Sequence, residues 1–247
     1  MFITSKTVGT KIISWNCNMA FRNKFKSVIE LNPDLLVIQE CESKPKLEKH
    51  LEAVNYNQLI WYGDNPHKGV AVLSFNALDI SLNKNHNPEY QYVIPLTLNS
   101  DKKKINLFCL WAMPHKTERA KNYVGQVWGA IHYYEQLLNQ ESILIGDFNS
   151  NAIWDKKKRI GNHTNVVRFL NQKNIYSMYH QKLKSNHGEE KDPTLFLLKN
   201  KLKPYHMDYC FASKSLYTMA TTIEIGKYED WIKLSDHMPL IIDNLEM

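Results

Sequence analysis

Long apolar runs, paired cysteines and linker-like stretches are all missing from this 247-residue chain. No segment of 18 consecutive apolar residues occurs, so no membrane-spanning helix is expected. The N-terminus shows no basic-then-apolar leader pattern, because the first apolar run, Ile12-Ile13, is two residues long. Cysteine is scarce and scattered: Cys17, Cys41, Cys109 and Cys210 form no C-x-x-C pair, and each lies in or beside an apolar run. That placement disfavours a structural zinc or a disulfide framework and suits four small buried hydrophobes in a reducing compartment. No Pro/Gly/Ser-rich linker and no internal repeat divides the sequence, so one domain over residues 1–247 is expected. These absences together predict a cytoplasmic, monomeric protein.

What is present suffices for a large core, with 43% of residues hydrophobic and 23% charged. The formal net charge of +6 is compatible with a polyanionic partner but does not demand one. Apolar runs and helical spacing alternate along the first half. Lys11–Asn16 reads as a strand ending on a polar residue, and Phe21, Phe25, Val28 and Ile29 recur at helical spacing. Asn32-Pro33-Asp34 breaks that helix, and Leu35–Ile38 is a buried strand leading into Gln39-Glu40. A second helix is expected from Pro45 to about Val54, and strands over Gly69–Phe75, Tyr90–Leu98 and Ile105–Trp111. The longest expected helix runs from Thr117, as N-cap, to about Leu138, on an apolar stripe of Ala120, Val124, Val127, Trp128, Ile131 and Leu138. Ile143–Ile145 then forms a strand into Gly146-Asp147-Phe148-Asn149, a short helix covers Val166–Leu170, and strands dominate the remainder. Such a mixture predicts a layered α/β protein with helices covering sheet faces.

Polar residues collect where the apolar strands stop: Asn16, Glu40, Asp147 with Asn149, Asp208, and Asp236 with His237. Any one of them could be an ordinary cap or turn residue. Acid, amide and imidazole at so many strand ends, with no nucleophilic Ser or Cys among them, instead predict one pole where the strands converge. Glu40 is the best candidate metal ligand there, since a hard carboxylate beside an Asn suits Mg²⁺. His237 is the natural proton acceptor near neutral pH, with Asp208 or Asp147 as candidates to orient its ring.

The segments Ser14-Trp15-Asn16, Val37-Ile38-Gln39-Glu40, Gly146-Asp147-Phe148-Asn149, Met207-Asp208-Tyr209 and Ser235-Asp236-His237 together resemble the endonuclease/exonuclease/phosphatase superfamily. They fall in the family's order and span nearly the whole chain, closest in character to the bacterial exonuclease III kind. The resemblance implies a four-layer α/β sandwich: two mixed β-sheets face to face, with helices outside. It implies phosphate-ester cleavage by a metal-assisted water, with Mg²⁺ (Mn²⁺ able to substitute) held by Glu40, Asn16 and Asp236. In those terms Asp147 orients or deprotonates the water, Asn149 holds a phosphate oxygen, and His237 contacts the phosphate or acts as base. One departure stands out. The family usually places a His or Tyr where this chain has Trp111, so either His115 reaches in from the following loop or the role is missing.

Substrate identity rests on basic runs. Lys102–Lys104 reads as a solvated hairpin tip, and Lys199, Lys201 and Lys203 fit either reading. Lys156, Lys157, Lys158 and Arg159 follow the catalytic-looking loop closely, with Trp154 just before them, and are candidate nucleic-acid contacts. DNA is therefore the expected partner. A small or lipid phosphate substrate, of the inositol phosphatase or sphingomyelinase type, and a polyanion-binding module without turnover are the alternatives.

Overall fold

In Ile143-Leu144-Ile145 the side chains alternate between two faces of an extended backbone, and both faces are buried. Ile143 and Ile145 enter one apolar cluster and Leu144 another. The chain is layered on this alternation. The computed structural model describes residues 9–76 and 78–247. The N-terminal leader reading bears partly on residues 1–8, which lie outside the described residues.

The first half contains β1 (Thr10–Asn16), α1 (Phe25–Ile29), β2 (Leu35–Cys41), α2 (Lys44–Glu48), β3 (Gln58–Asn65), β4 (Lys68–Ser74), β5 (Asp79–Leu82), β6 (Val93–Asn99) and β7 (Lys104–Trp111). The second contains α3 (Val124–Tyr133), α4 (Glu135–Leu138), β8 (Ser142–Asp147), α5 (His163–Gln172), β9 (Ile175–Ser177), α6 (Met178–Leu183) and β10 (Leu195–Phe196). It closes with β11 (Pro204–Tyr205), β12 (Asp208–Ser213), β13 (Thr222–Ile225), α7 (Tyr228–Trp231) and β14 (Leu240–Leu245).

Two six-stranded sheets result, in the orders β13-β14-β1-β2-β4-β3 and β5-β6-β7-β8-β12-β9. Both are mixed: β1·β2 and β7·β8 pair parallel, while β2·β4 and β8·β12 pair antiparallel. Val37 and Val72 of one sheet share a core with Leu107, Ile143 and Ile145 of the other. Outside the second sheet, α3, α4 and α5 bury Val127, Ile131, Leu138, Val166 and Leu170. Outside the first, Val28, Leu47 and Trp231 come from α1, α2 and α7. The architecture is the four-layer sandwich. No helix among the described residues is long and apolar enough to cross a membrane.

Several expected elements differ. The stripe from Thr117 to Leu138 is a 3₁₀ turn at Arg119–Lys121 followed by α3 and α4, and Thr117 caps nothing. The break is at Tyr123, whose φ of 52° leaves the right-handed helical region. α2 is shorter than expected, and the strand expected from Tyr90 begins at Val93 because Pro88–Tyr90 form a 3₁₀ turn capped by Asn87. The edge strand β3 has no counterpart in the expectation.

Gly146 is fixed by both sheets. Its φ is +139°, and a Cβ there would lie 2.1 Å from the Leu110 carbonyl oxygen on β7 and 2.9 Å from Gln39 Nε2 on β2. Backbone strain and overpacking each cost about 1–3 kcal/mol. Gly146→Ala is therefore expected to lose roughly 3 kcal/mol or more of stability, read as a lower urea midpoint at unchanged slope.

Candidate active site

The inner faces of the two sheets are apolar until one end of the sandwich, where they turn polar. Following the alternation from Ile12 on β1 and from Ile143 on β8, Asn16 and Asp147 point into the space between the sheets. Asp208 lies directly across the ladder from Asp147, and Trp111 pairs with Asp147 on the other side. Asn16 joins the sheets: its Nδ2 donates to Glu40 Oε1 at 3.2 Å and to Asp147 Oδ2 at 3.2 Å.

Glu40 reaches this point through a backbone irregularity. The β2·β4 register shifts between Gln39 and Cys41, and Glu40 has φ 56°. The resulting bulge turns Glu40 toward the rim, half-buried between two buried neighbours. Asn18 links the next pieces, its N–H donating to Asn16 Oδ1 and its Nδ2 to Asp236 Oδ1 at 2.8 Å. The loop carrying Asn18 is held from behind by buried Glu42, which accepts from the Phe21 and Arg22 N–H groups and from Arg22 Nη1.

Asp147 is fully buried and well supplied with donors. Oδ1 accepts from the Asn149 N–H at 2.8 Å, and Oδ2 from Asn149 Nδ2 as well as Asn16. Three of roughly four acceptor positions on the carboxylate are thus filled. Both amide hydrogens of Asn149 are committed, to Asp147 and to the Ala112 carbonyl at 3.1 Å. In this arrangement Asn149 orients Asp147 and has no N–H left over for a phosphate.

His237 Nδ1 lies 2.8 Å from Asp208 Oδ2, and its Nε2 is 4.0 Å from Asp147 Oδ2. Ser235 fixes the approach, accepting from the His237 N–H and donating to the Asn16 carbonyl. Burial acts to lower the His237 pKa, but the charge of Asp208 and its hydrogen bond, with Asp147 and Asp236 adding, raise it to about 10. Burial pushes Asp147 the unusual way for a carboxyl, up to about 7, with Asp208 adding and His237 and the amide donors opposing. Two titratable neighbours are driven in ways that leave the imidazole charged and the carboxyl near neutrality.

Asp147, Asp208 and His237 are close enough to surround a cation. His237 Nδ1 and Asp208 Oδ2 already face each other at hydrogen-bonding distance, and the raised His237 pKa favours an imidazolium, which would repel a second positive charge. The rim suits a hard cation better. The Glu40 side chain uses one oxygen on Asn16 and makes no other hydrogen bond among the described residues. The surrounding donors are oxygens, the chemistry of Mg²⁺-type sites.

Other expected residues lie elsewhere. Trp111 is buried between the sheets, edge-on to Tyr92 at 4.9 Å, with Lys68 Nζ 5.6 Å from its ring. His115 belongs to the Ala112–Asn122 loop, where its Nδ1 accepts from the Glu118 N–H at 3.0 Å. No hydrogen bond or ion pair joins His115 to the cluster among the described residues. Trp154 is exposed and leans on Tyr205 at 5.0 Å. Lys156, Lys157, Lys158 and Arg159 are exposed, and Arg159 donates to the Asn122 carbonyl, which sets this basic loop against the His115 loop. Arg168 and Arg119, which sequence reasoning passed over, line hollows with Lys156–Arg159. Lys103 and Lys201 are paired with Glu141 and Glu229.

Comparison with curated proteins by sequence returns no match. Solved structures of similar shape include a 3'-5' exonuclease from Neisseria meningitidis, 16% identical over 95% of this chain and 99% of that one, with TM-score 0.67. A 3' phosphatase from Neisseria bound to a product DNA hairpin superimposes with TM-score 0.68 at 16% identity, covering 97% and 100%. An AP endonuclease from Archaeoglobus fulgidus gives TM-score 0.63 at 17% identity, covering 94% and 98%. At such identities these are likenesses of fold. The profile of the Endonuclease/Exonuclease/phosphatase family matches residues 13–237, from β1 to His237 itself. That span is most of the chain, and the chain belongs to the endonuclease/exonuclease/phosphatase family of phosphate-ester hydrolases.

Proposed function

We propose that this protein is a Mg²⁺-dependent phosphodiesterase that cleaves DNA, with Asp147 as general base and protonated His237 as the donor to the phosphate. The observation that supports this division is the electrostatic contrast between the two, a carboxyl raised to about 7 beside an imidazole raised to about 10. A base is most effective with a pKa near the working pH, while a group held charged serves to stabilise a developing anion. Asp147 takes the proton of the attacking water on its remaining acceptor position. The water oxygen bonds to phosphorus as the bond to the leaving oxygen breaks. His237, held by Asp208, presents Nε2–H to a phosphoryl oxygen. Asn149 and Asn16 keep Asp147 in place. Glu40, with Asn16 and Asp236, would hold the cation, which when bound offsets charge on the phosphoryl group.

The basic loop supports DNA over a small phosphate. Lys156–Arg159, Arg119 and Arg168 can neutralise several backbone phosphates beyond the scissile one, and exposed Trp154 can stack on a base. The test is incubation with Mg²⁺ or Mn²⁺ and labelled single-stranded, double-stranded and abasic DNA, with inositol polyphosphates alongside. Metal-dependent DNA cleavage is expected, and cleavage of the small phosphates alone would overturn the assignment. Replacing Lys156, Lys157 and Lys158 together by Ala is expected to raise KM for DNA about 10-fold near 150 mM salt. The same change should flatten the log–log salt slope by about 2–3.

A further inference from the structure

One side chain at the active end of the sandwich has no task in the chemistry above. Val70 and Val72 of β4 face the space between the sheets, while Ala71 and Leu73 face outward. Lys68, two residues before Val70, continues the inner face. Its end of β4 is the active end, because the neighbouring Gly69 pairs with Cys41, which follows Glu40. Across the gap runs β7, and Lys68 Nζ lies 5.6 Å from the centroid of the Trp111 ring. Trp111 in turn pairs with Asp147.

Lys68 is placed and left free in a way that covering an indole does not require. The turn before it is fixed. Asn65 Oδ1 accepts from the His67 N–H at 2.9 Å, the Pro66 carbonyl accepts from the Ser43 N–H at 3.0 Å, and Lys46 Nζ rests 3.0 Å from His67 Nδ1. Lys68 itself is half-buried. Its Nζ makes no hydrogen bond or ion pair among the described residues, whereas Lys103, Lys121 and Lys173 each meet a carboxylate. It also stands on the flank that His237 leaves uncovered. Asp208 on β12 and Trp111 on β7 lie on opposite sides of Asp147. In the facing sheet, β14, which follows His237, and β4 lie on opposite sides of β1.

We propose that Lys68 is a further substrate-contacting residue, its ammonium donating to a phosphoryl oxygen on the Trp111 side of Asp147. The indole supports the lysine stem and attracts its charge. The ammonium has three N–H donors, while both amide hydrogens of Asn149 are spent within the protein. As charge grows on the phosphoryl oxygens, a donor already in place stabilises it without rearrangement. The inference rests on the cluster being the hydrolytic site, and not on DNA being the substrate.

Bis(4-nitrophenyl) phosphate and inorganic phosphate test it without DNA. With the diester and Mg²⁺, Lys68→Met should lower kcat about 10–100-fold and change KM less than about threefold. Lys68→Arg, which keeps the charge, should recover most of that loss. Met leaves an unbranched apolar cover over Trp111, so Tm and circular dichroism should stay as they are. A merely structural lysine would move Tm and spare kcat. Calorimetric titration with inorganic phosphate in excess Mg²⁺ should show about 10-fold weaker binding to Lys68→Met than to the unaltered chain. Lys102→Met, at an exposed bend, should bind phosphate as the unaltered chain does. Full turnover, or undiminished phosphate affinity, in Lys68→Met would overturn the role of Lys68. Turnover kept by Asp147→Ala would instead overturn the hydrolytic reading beneath it.

Discussion

Asp147→Ala is expected to lower kcat on a DNA substrate by about 10³–10⁴-fold in saturating Mg²⁺ while the protein stays folded. The neighbouring carboxylate, Asp208, is committed to His237. Asn16 and Asn149 are donors toward that position, and His237 is held protonated. Loss of fold does not account for such an effect, and the pH dependence of stability shows why. The Asp147 pKa rises from 3.8 to about 7 on folding, so the folded state favours the protonated form. Its ionisation therefore takes stability away as pH rises above 3.8, and the full penalty is present above about 7. Alanine removes this term. The Tm of the variant relative to the unaltered chain should climb from pH 4 to pH 7, and a flat difference would refute the burial argument. Substantial activity in the variant would remove Asp147 from the base's role.

Asp208→Asn is expected to reduce kcat by about 10²–10³-fold and to shift the alkaline limb of the pH–rate profile toward neutrality. The unaltered chain should give a bell, with an acid limb at or below about 7 from Asp147 and an alkaline limb near 10 from His237. A bound cation, being positive, pulls the acid limb lower. Asp208 supplies both the charge and the hydrogen bond that raise His237 against the opposing effect of burial. Without them burial prevails and the imidazole loses its proton earlier. A merely structural role for Asp208 would lower activity without moving the limb, so an unmoved limb would sink the assignment. The sign for stability is opposite to that of Asp147. The raised His237 pKa contributes stability fully below its ordinary 6.5, and that contribution is lost as pH climbs through about 10. Leaving one member of a buried pair without its partner costs about 3–5 kcal/mol.

The strands and their polar tips were legible because alternation and burial act over short distances. Asp147, Asp208 and Asn16 stand at the ends of runs whose alternation puts them on the inner face, whereas Glu40 is out of phase and reaches the site only through its bulge. Asn18 and Glu42 gave no signal. Their roles depend on the conformation of residues 17–24, where Asn18, Met19 and Ala20 all have positive φ, and no apolar period encodes such a turn. The long helix was misread for a related reason: the apolar stripe continues in phase across Tyr123 although the backbone does not. His115 shows a further limit. A histidine four residues past a strand can serve its own loop as easily as a site, and here its ring nitrogen satisfies a backbone N–H. Which carboxylate orients His237 was open between two candidates, and the 2.8 Å contact of Nδ1 with Asp208, against 4.0 Å from Nε2 to Asp147, favours Asp208.

Asn16 belongs to one sheet and Asp147 to the other, and a single amide group spans the gap between them. Neither half of the sandwich carries a complete set of groups. With one sheet formed and its partner loose, the Asp147 carboxylate would lie beyond the amide that braces it. The group is complete only once the two sheets have closed to hydrogen-bonding distance.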